Sequence, residues 1–403
     1  MQPTERILRE YRESLSLALA DILRYWKTFA PDEQHGGFMG RIDPDNRPDF
    51  SAAKGSVLNA RILWFCSAAY RMKADQTDLD MAGRAFDYIK AHFIDDEFGG
   101  VYWLVNPDGS AADTRKQSYA IAFTIYGLSE YHLASKNEAA RLMAMKLYED
   151  LVAHSYDPGK GGYFEAFSRE WGRIEDLRLS EKDANEKKTM NTHLHVLEAF
   201  TTLYRIWPDA QLKDNIAALI DTFMMHILHP KTGSLILFFD ENWTGKSDVV
   251  SFGHDIEASW LLLEAAEVIA DPDLIEKVKA IAVRMAKVSE KGMDSDGGLF
   301  YEYNPITKHL VTEKHWWVQA EAMVGFYNAW QLSNEDHFLS LSLKNWKFVQ
   351  RNILDRINGE WFWGVTESGA VMPGEDKVGI WKCPYHNGRA CMELIKRIGH
   401  YLP

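Results

Sequence analysis

The chain has 403 residues, 46% hydrophobic and 26% charged, which is ample apolar material for a large core. Against 45 Lys and Arg stand 58 Asp and Glu, a net charge of −13 that argues against a nucleic-acid or anionic-membrane partner. The 14 Trp, 17 Tyr and 20 Phe exceed what a core of Leu, Ile and Val needs, and point either to an aromatic core or to a sugar site.

In chain order, the opening stretch MQPTERILREYRESL is charged from Glu5 onward and holds no apolar signal core. A helix is expected over 4–30. Residues 54–72 are apolar nearly all round, as a buried helix is, and 78–94 are amphipathic, as an outer helix is. The pairing recurs, with inner candidates at 114–135, 187–207, 252–270, 314–332 and 384–400. Outer candidates fall at 137–155, 210–228, 273–290 and 335–354. The polar insertion 166–186 precedes an inner helix and reads as a lid or as a solvated excursion. No run of 18 uncharged apolar residues predicts a membrane span. Cys66, Cys383 and Cys391 are odd in number and lack metal spacing, so a reducing, cytoplasmic setting is expected.

One phrase punctuates these helices: glycine, then aromatics. It stands at Gly36-Gly37-Phe38, Gly99-Gly100-Val101-Tyr102-Trp103 and Gly161-Gly162-Tyr163-Phe164. It returns at Gly233-Ser234-Leu235, Gly297-Gly298-Leu299-Phe300-Tyr301 and Gly359-Glu360-Trp361-Phe362-Trp363. The first glycines lie 63, 62, 72, 64 and 62 residues apart, which marks six structural units. Each phrase reads as a tight turn followed by a short aromatic strand. Six inner and six outer helices, with the opening helix as the sixth outer one, imply an all-α fold. It is a single (α/α)6 barrel over 1–403 with short β-hairpins at one end. No Pro/Gly/Ser linker or charge run supports a two-domain division.

The polar residues within the inner helices are the informative ones. They are Arg61, Tyr119, Asn191 with His195, His254 with Glu257 and Trp260, Trp317 with Glu321, and His386 with Trp381 on its approach. Asn191 and His195 are four apart, His254, Glu257 and Trp260 three apart, and Trp317 and Glu321 four apart, so each set shares a helical face. In a ring of parallel inner helices these first turns converge at one end. Singly, each histidine or tryptophan reads as core and Arg61 as half of an ion pair. Together, at matching depth, they read as one pocket. His193 falls on a different face from His195, and His315 reads as a cap-region or rim residue. No HExxH, CxxC, EF-hand, GxGxxG or phosphate-loop pattern occurs, so neither a metal nor a nucleotide cofactor is expected.

Two histidines on opposite sides of one carbon can exchange the roles of base and acid. That suits inversion next to a carbonyl, with Arg61 and the helix N-termini stabilising an enediolate. A hydrolase would need two dominant carboxylates instead; Glu257 and Glu321 could supply them, but the histidines would be left without a role.

The phrases SEKDANEKKTMNTHLHVLEAF, SFGHDIEASWLL, HWWVQAEAMVGFYNAW and KCPYHNGR resemble the N-acylglucosamine 2-epimerase superfamily over essentially the full length, and within it the cellobiose 2-epimerase branch. The resemblance implies an (α/α)6 barrel and C2 epimerisation of a reducing-end sugar without a redox cofactor. It implies His254 and His386 as the acid/base pair, with His195 and Arg61 polarising O1 and O2. Tyr119, Asn191, Glu257 and Glu321 would bind hydroxyls or orient the histidines. Trp317 and Trp381 would stack on sugar rings, Trp260 would support them, and Asp183 would reach substrate from the long loop. The partner is then a small sugar and the protein a monomer. Free mannose and glucose, aldose–ketose isomerisation, N-acylglucosamine and a binding role without catalysis remain the competing readings.

Overall fold

A computed structural model describes residues 3–402. Its outer helices are α1 (Pro3–Phe29), α3 (Gln76–Tyr88), α5 (Glu138–Ser155), α7 (Ala210–Thr222), α9 (Pro272–Ser289) and α11 (Asp336–Asn352). The inner helices are α2 (Ser56–Lys73), α4 (Ser118–Ser135), α6 (Met190–Tyr204), α8 (Phe252–Val268), α10 (Trp316–Ser333) and α12 (Tyr385–Tyr401). Each inner helix packs on the next, and α12 packs on both α2 and α1, which closes the ring as an (α/α)6 barrel. Every residue of α4 from Ser118 to Tyr131 is buried, as a helix walled in on all sides must be. No described helix is long and apolar enough to cross a membrane.

Outer helices start on polar caps. Asp75, Asn137, Asp209 and Asp271 accept a first-turn N–H of α3, α5, α7 and α9. Two of them, α3 and α7, end in π-turns at Ile89–Phe93 and Phe223–Ile227.

Five inner helices start directly from a short strand instead, and α12 follows Pro384. Lys54–Gly55 pairs with Leu104–Val105, Lys116–Gln117 with Ala166–Phe167, Lys188–Thr189 with Phe238–Phe239, and Lys314–His315 with Gly364–Val365. The sequence pattern puts these lysine-led pairs inside the helices; the ladder takes them, because each can bond to the next unit. The next N–H also crosses over: Ser56 donates to the Trp103 carbonyl at 3.1 Å, Ser118 to Glu165 at 2.9 Å, Met190 to Leu237 at 2.9 Å and Trp316 to Trp363 at 2.8 Å. These four inner-helix starts are therefore fixed by the following repeat.

The glycine phrases are the hairpins that follow the outer helices. Each closes on one bridge rather than a strand: Pro31 with Phe38, Ile94 with Val101, Tyr156 with Tyr163, Leu228 with Leu235, Met293 with Leu299, and Leu354 with Trp361. At Gly162 φ is 78°, and a Cβ would stand 2.4 Å from Trp243 and 2.6 Å from His193.

A second repeat pins the hairpins. Buried lysines reach the aspartate that opens each turn: Lys54 to Asp32, Lys116 to Asp95, Lys188 to Asp157 and Lys377 to Asp355 at 2.7 Å, and Lys314 to Asp294 at 2.6 Å. The fourth unit has His229 and Val250 at these places, so it lacks both partners.

Candidate active site

The inner-helix N-termini and the long loop enclose a cavity of about 440 Å³. It is lined by Arg61, Tyr119, Asp183, Asn191, His195, His254, Glu257, Trp317, Trp381 and His386. These come from six helices, the long loop and the segment before α12, so the polar residues singled out along the chain do meet. Glu321 stands just behind His386. His315, Trp316, Tyr301, Trp363, Lys182 and Glu375 also face the cavity. His315 is the N-cap of α10 and stacks on Tyr301 at 4.1 Å; it is only 4% exposed, so it is a wall residue rather than a rim one.

Trp260 is the exception. It is 1% exposed, does not line this cavity, and borders a separate depression at the opposite mouth of the barrel. Its position six residues past His254 places it about 9 Å deeper along α8. A shared face is not a shared depth. Its indole N–H donates to Glu321 at 3.1 Å, so it braces the floor from below.

The three histidines differ in what holds Nδ1. In His386 it meets Glu321 at 2.7 Å, in His195 it meets Glu198 at 2.9 Å, and in His254 it meets the Ser251 hydroxyl at 2.8 Å. Each ring is thereby oriented with Nε2 left for another partner. Burial is the first cause that depresses all three: His254 is pushed down to about 3, and His195 and His386 also fall, so all are neutral imidazoles at neutral pH. His254 and His386 both lie against the Trp317 ring, at 4.8 and 5.6 Å between centroids. Gly253 permits this, because a Cβ there would stand 2.6 Å from Trp317.

Arg61 donates to the Tyr119 hydroxyl at 2.8 Å and lies over Phe123 and Tyr385 at 4.1 and 4.6 Å. Among the described residues no carboxylate pairs with it, so its charge is left for the cavity. His193, as its different face requires, is elsewhere: its ring bonds Thr189 carbonyl at 2.6 Å and accepts the Tyr163 N–H at 2.9 Å. Asp183 closes a turn of the loop by accepting from Ser180 N–H and hydroxyl at 2.9 and 3.0 Å. The loop itself is clamped by Arg169 on Asp95 at 2.9 Å and by Trp171 on the Phe98 carbonyl at 2.8 Å. Asn191 is half-buried with its carbonyl oxygen unpaired, which leaves an acceptor for a hydroxyl.

Beneath the histidines sits a group that sequence spacing does not reveal: Glu198, Tyr385 and Arg389. Arg389 bonds Glu257 at 2.7 Å and Glu321 at 2.6 Å, and also Glu198. Glu257, Glu321 and His386 lie close enough to bind a cation between them, all within 4.8 Å. The Arg389 guanidinium already supplies that cation to the two carboxylates.

A helical barrel whose inner-helix starts present neutral histidines, an unpaired arginine and tryptophan faces to one cavity defines a carbohydrate-active enzyme. The family model for N-acylglucosamine 2-epimerase matches residues 36–388, and the chain belongs to that family. It is 50% identical to a cellobiose 2-epimerase of Bacteroides fragilis over 93% of this chain and 95% of that one. It is 39% identical to one of Ruminococcus albus over 97% and 99%. The solved cellobiose 2-epimerase of Spirochaeta thermophila superposes with a TM-score of 0.94 at 36% identity, covering 100% of both chains.

Proposed function

We propose that the protein, as one catalytic domain, interconverts the glucose and mannose configurations at C2 of the reducing-end residue of β-1,4-linked disaccharides such as cellobiose and lactose. Its membership among carbohydrate epimerases and its likeness to cellobiose 2-epimerases support the substrate class. The observation that carries the mechanism is the placement of His254 and His386 against one tryptophan ring, each held at Nδ1 with Nε2 left free.

Ring opening moves the O1 hydroxyl proton to the ring oxygen and gives a C1 aldehyde. One imidazole then takes the C2 proton; the C2–H pair forms the C1–C2 double bond and the negative charge settles on O1. Arg61 and Tyr119 are the donors that stabilise this oxygen. The opposite histidine, which takes up a proton from solvent at Nε2 before turnover, returns it to the other face of C2, and the carbonyl re-forms. The two histidines end with their protonation states exchanged, which is what a reversible epimerisation requires. Trp317 and Trp381 supply flat faces for sugar C–H surfaces.

The test is incubation with cellobiose, and separately with mannose, in D2O, followed by NMR. The expected product carries deuterium at C2 and a mannose-configured reducing end. Free glucose released from cellobiose would replace this reading with hydrolysis. A ketose product would indicate isomerisation, and turnover of mannose alone a monosaccharide epimerase.

A further inference from the structure

Three inner helices aim a carboxylate at one point below the sugar cavity, and a fourth puts a cation there. Arg389 on α12 is 2% exposed. One terminal nitrogen donates to Glu198 on α6 and meets the Tyr385 hydroxyl. The other donates to Glu257 on α8 at 2.7 Å and Glu321 on α10 at 2.6 Å. The guanidinium plane is also walled by Trp260 at 4.7 Å and Tyr385 at 4.1 Å. Glu198 holds His195, and Glu321 holds His386. The contacts therefore run without a break from His195 through Glu198, Arg389 and Glu321 to His386.

A purely structural ion pair needs one carboxylate, and three around one cation leave an excess of buried negative charge. Burial raises Glu257 and Glu321, while the Arg389 charge and the hydrogen bonds from His195 and Tyr385 keep Glu198 down at about 2. Arg389 lowers all three against that burial, and so favours Glu198 and Glu321 as acceptors for a histidine N–H. A carboxyl that took up a proton would offer a donor instead, and the imidazole facing it would turn over its tautomer. The other titratable or charged groups around this cluster are Arg61 on α2, Tyr119 and Tyr126 on α4, and His254 on α8.

We propose that Arg389 is a positioning residue for the C2 proton transfer: by holding Glu198 and Glu321 as anions in fixed places, it fixes His195 and His386 with Nδ1 as donor and Nε2 free for the sugar, and couples the two. The proposal rests on the reading of His386 as an acid/base at C2.

The test compares wild type with Arg389→Met, Arg389→Lys and Glu198→Gln, using cellobiose turnover and NMR titration of the imidazoles in isotope-labelled protein. In Arg389→Met, kcat falls by about 10²-fold or more with KM little changed. Its His386 signal also titrates at higher pH than in wild type, because a neighbouring positive charge has gone. Arg389→Lys recovers part of kcat. Glu198→Gln lowers kcat and moves the titration of His386 as well as His195, since the effect travels through Arg389; this variant decides the matter if Arg389→Met does not fold. A folded Arg389→Met with wild-type kcat and unchanged His386 titration overturns the proposal, as does a Glu198→Gln change confined to His195. The titrations need no substrate, so an enzyme inactive on cellobiose refutes the functional reading and leaves them to judge Arg389.

Discussion

Three histidines of one type acquire different chemistry from a single neighbour each. Ser251 gives His254 a neutral partner, whereas Glu321 gives His386 an anionic one. An anion at Nδ1 stabilises the imidazolium that forms when Nε2 takes the C2 proton. Glu321→Gln keeps the shape and removes that anion, so kcat should fall by about 10²-fold in a steady-state cellobiose assay, with KM nearly unchanged. His254→Ala or His386→Ala should abolish turnover while circular dichroism stays that of the folded barrel. The histidines, Arg61, Asn191 and Trp317 were legible in the sequence because polar residues in an apolar helix stand out. Trp260 supports the site from below rather than lining it, because periodicity gives the face of a helix and not the depth at which the cavity ends. Glu198 and Arg389 sit three residues past His195 and His386, on their faces, yet nothing in one helix says that another will bring its charge opposite.

At the scale of the element, the repeat is held by pairs that cross between units. Lys116 and Asp95 are both fully buried and 2.7 Å apart, and Asp95 also takes Arg169 from the long loop. Removing one partner strands the other in the interior. Lys116→Met should destabilise the barrel by about 3–5 kcal/mol in urea unfolding, well beyond the effect of losing an exposed pair. Because the Asp95 hairpin also anchors the loop that carries Asp183, a milder variant should raise KM before it unfolds the protein. The glycine phrases announced this architecture at a spacing of 62–72 residues, since tight turns restrict residue type. The lysine–aspartate repeat was not legible, because a lone Lys before a helix and a lone Asp in a turn are ordinary surface residues until the ladder buries them.

At the scale of the whole molecule, six units deliver their helix starts to one end of one ring, and the buried polar groups there bear on stability as well as on catalysis. Glu165 illustrates the balance. It is 1% exposed, bonds Thr189 N–H at 2.8 Å and the Thr192 hydroxyl at 2.6 Å, and burial pushes it up to about 8. The folded state then binds a proton that the unfolded chain releases near its ordinary carboxyl range, so this group's contribution declines as pH rises from about 4.5 toward 8. Glu165→Gln should flatten the fall in urea midpoint across that window; a fall as steep as in wild type would refute the assignment. Closure of the ring was readable from the count of helices, whereas the placement of charge along its axis is a property of the assembled six. Epimerisation turns on one hydrogen atom, and its path is tested most directly with cellobiose deuterated at C2 of its reducing-end residue, converted in ordinary water. Transfer between two histidines on opposite faces predicts a mannose-configured product that has lost the label to solvent. A product that keeps its deuterium at C2 would contradict it.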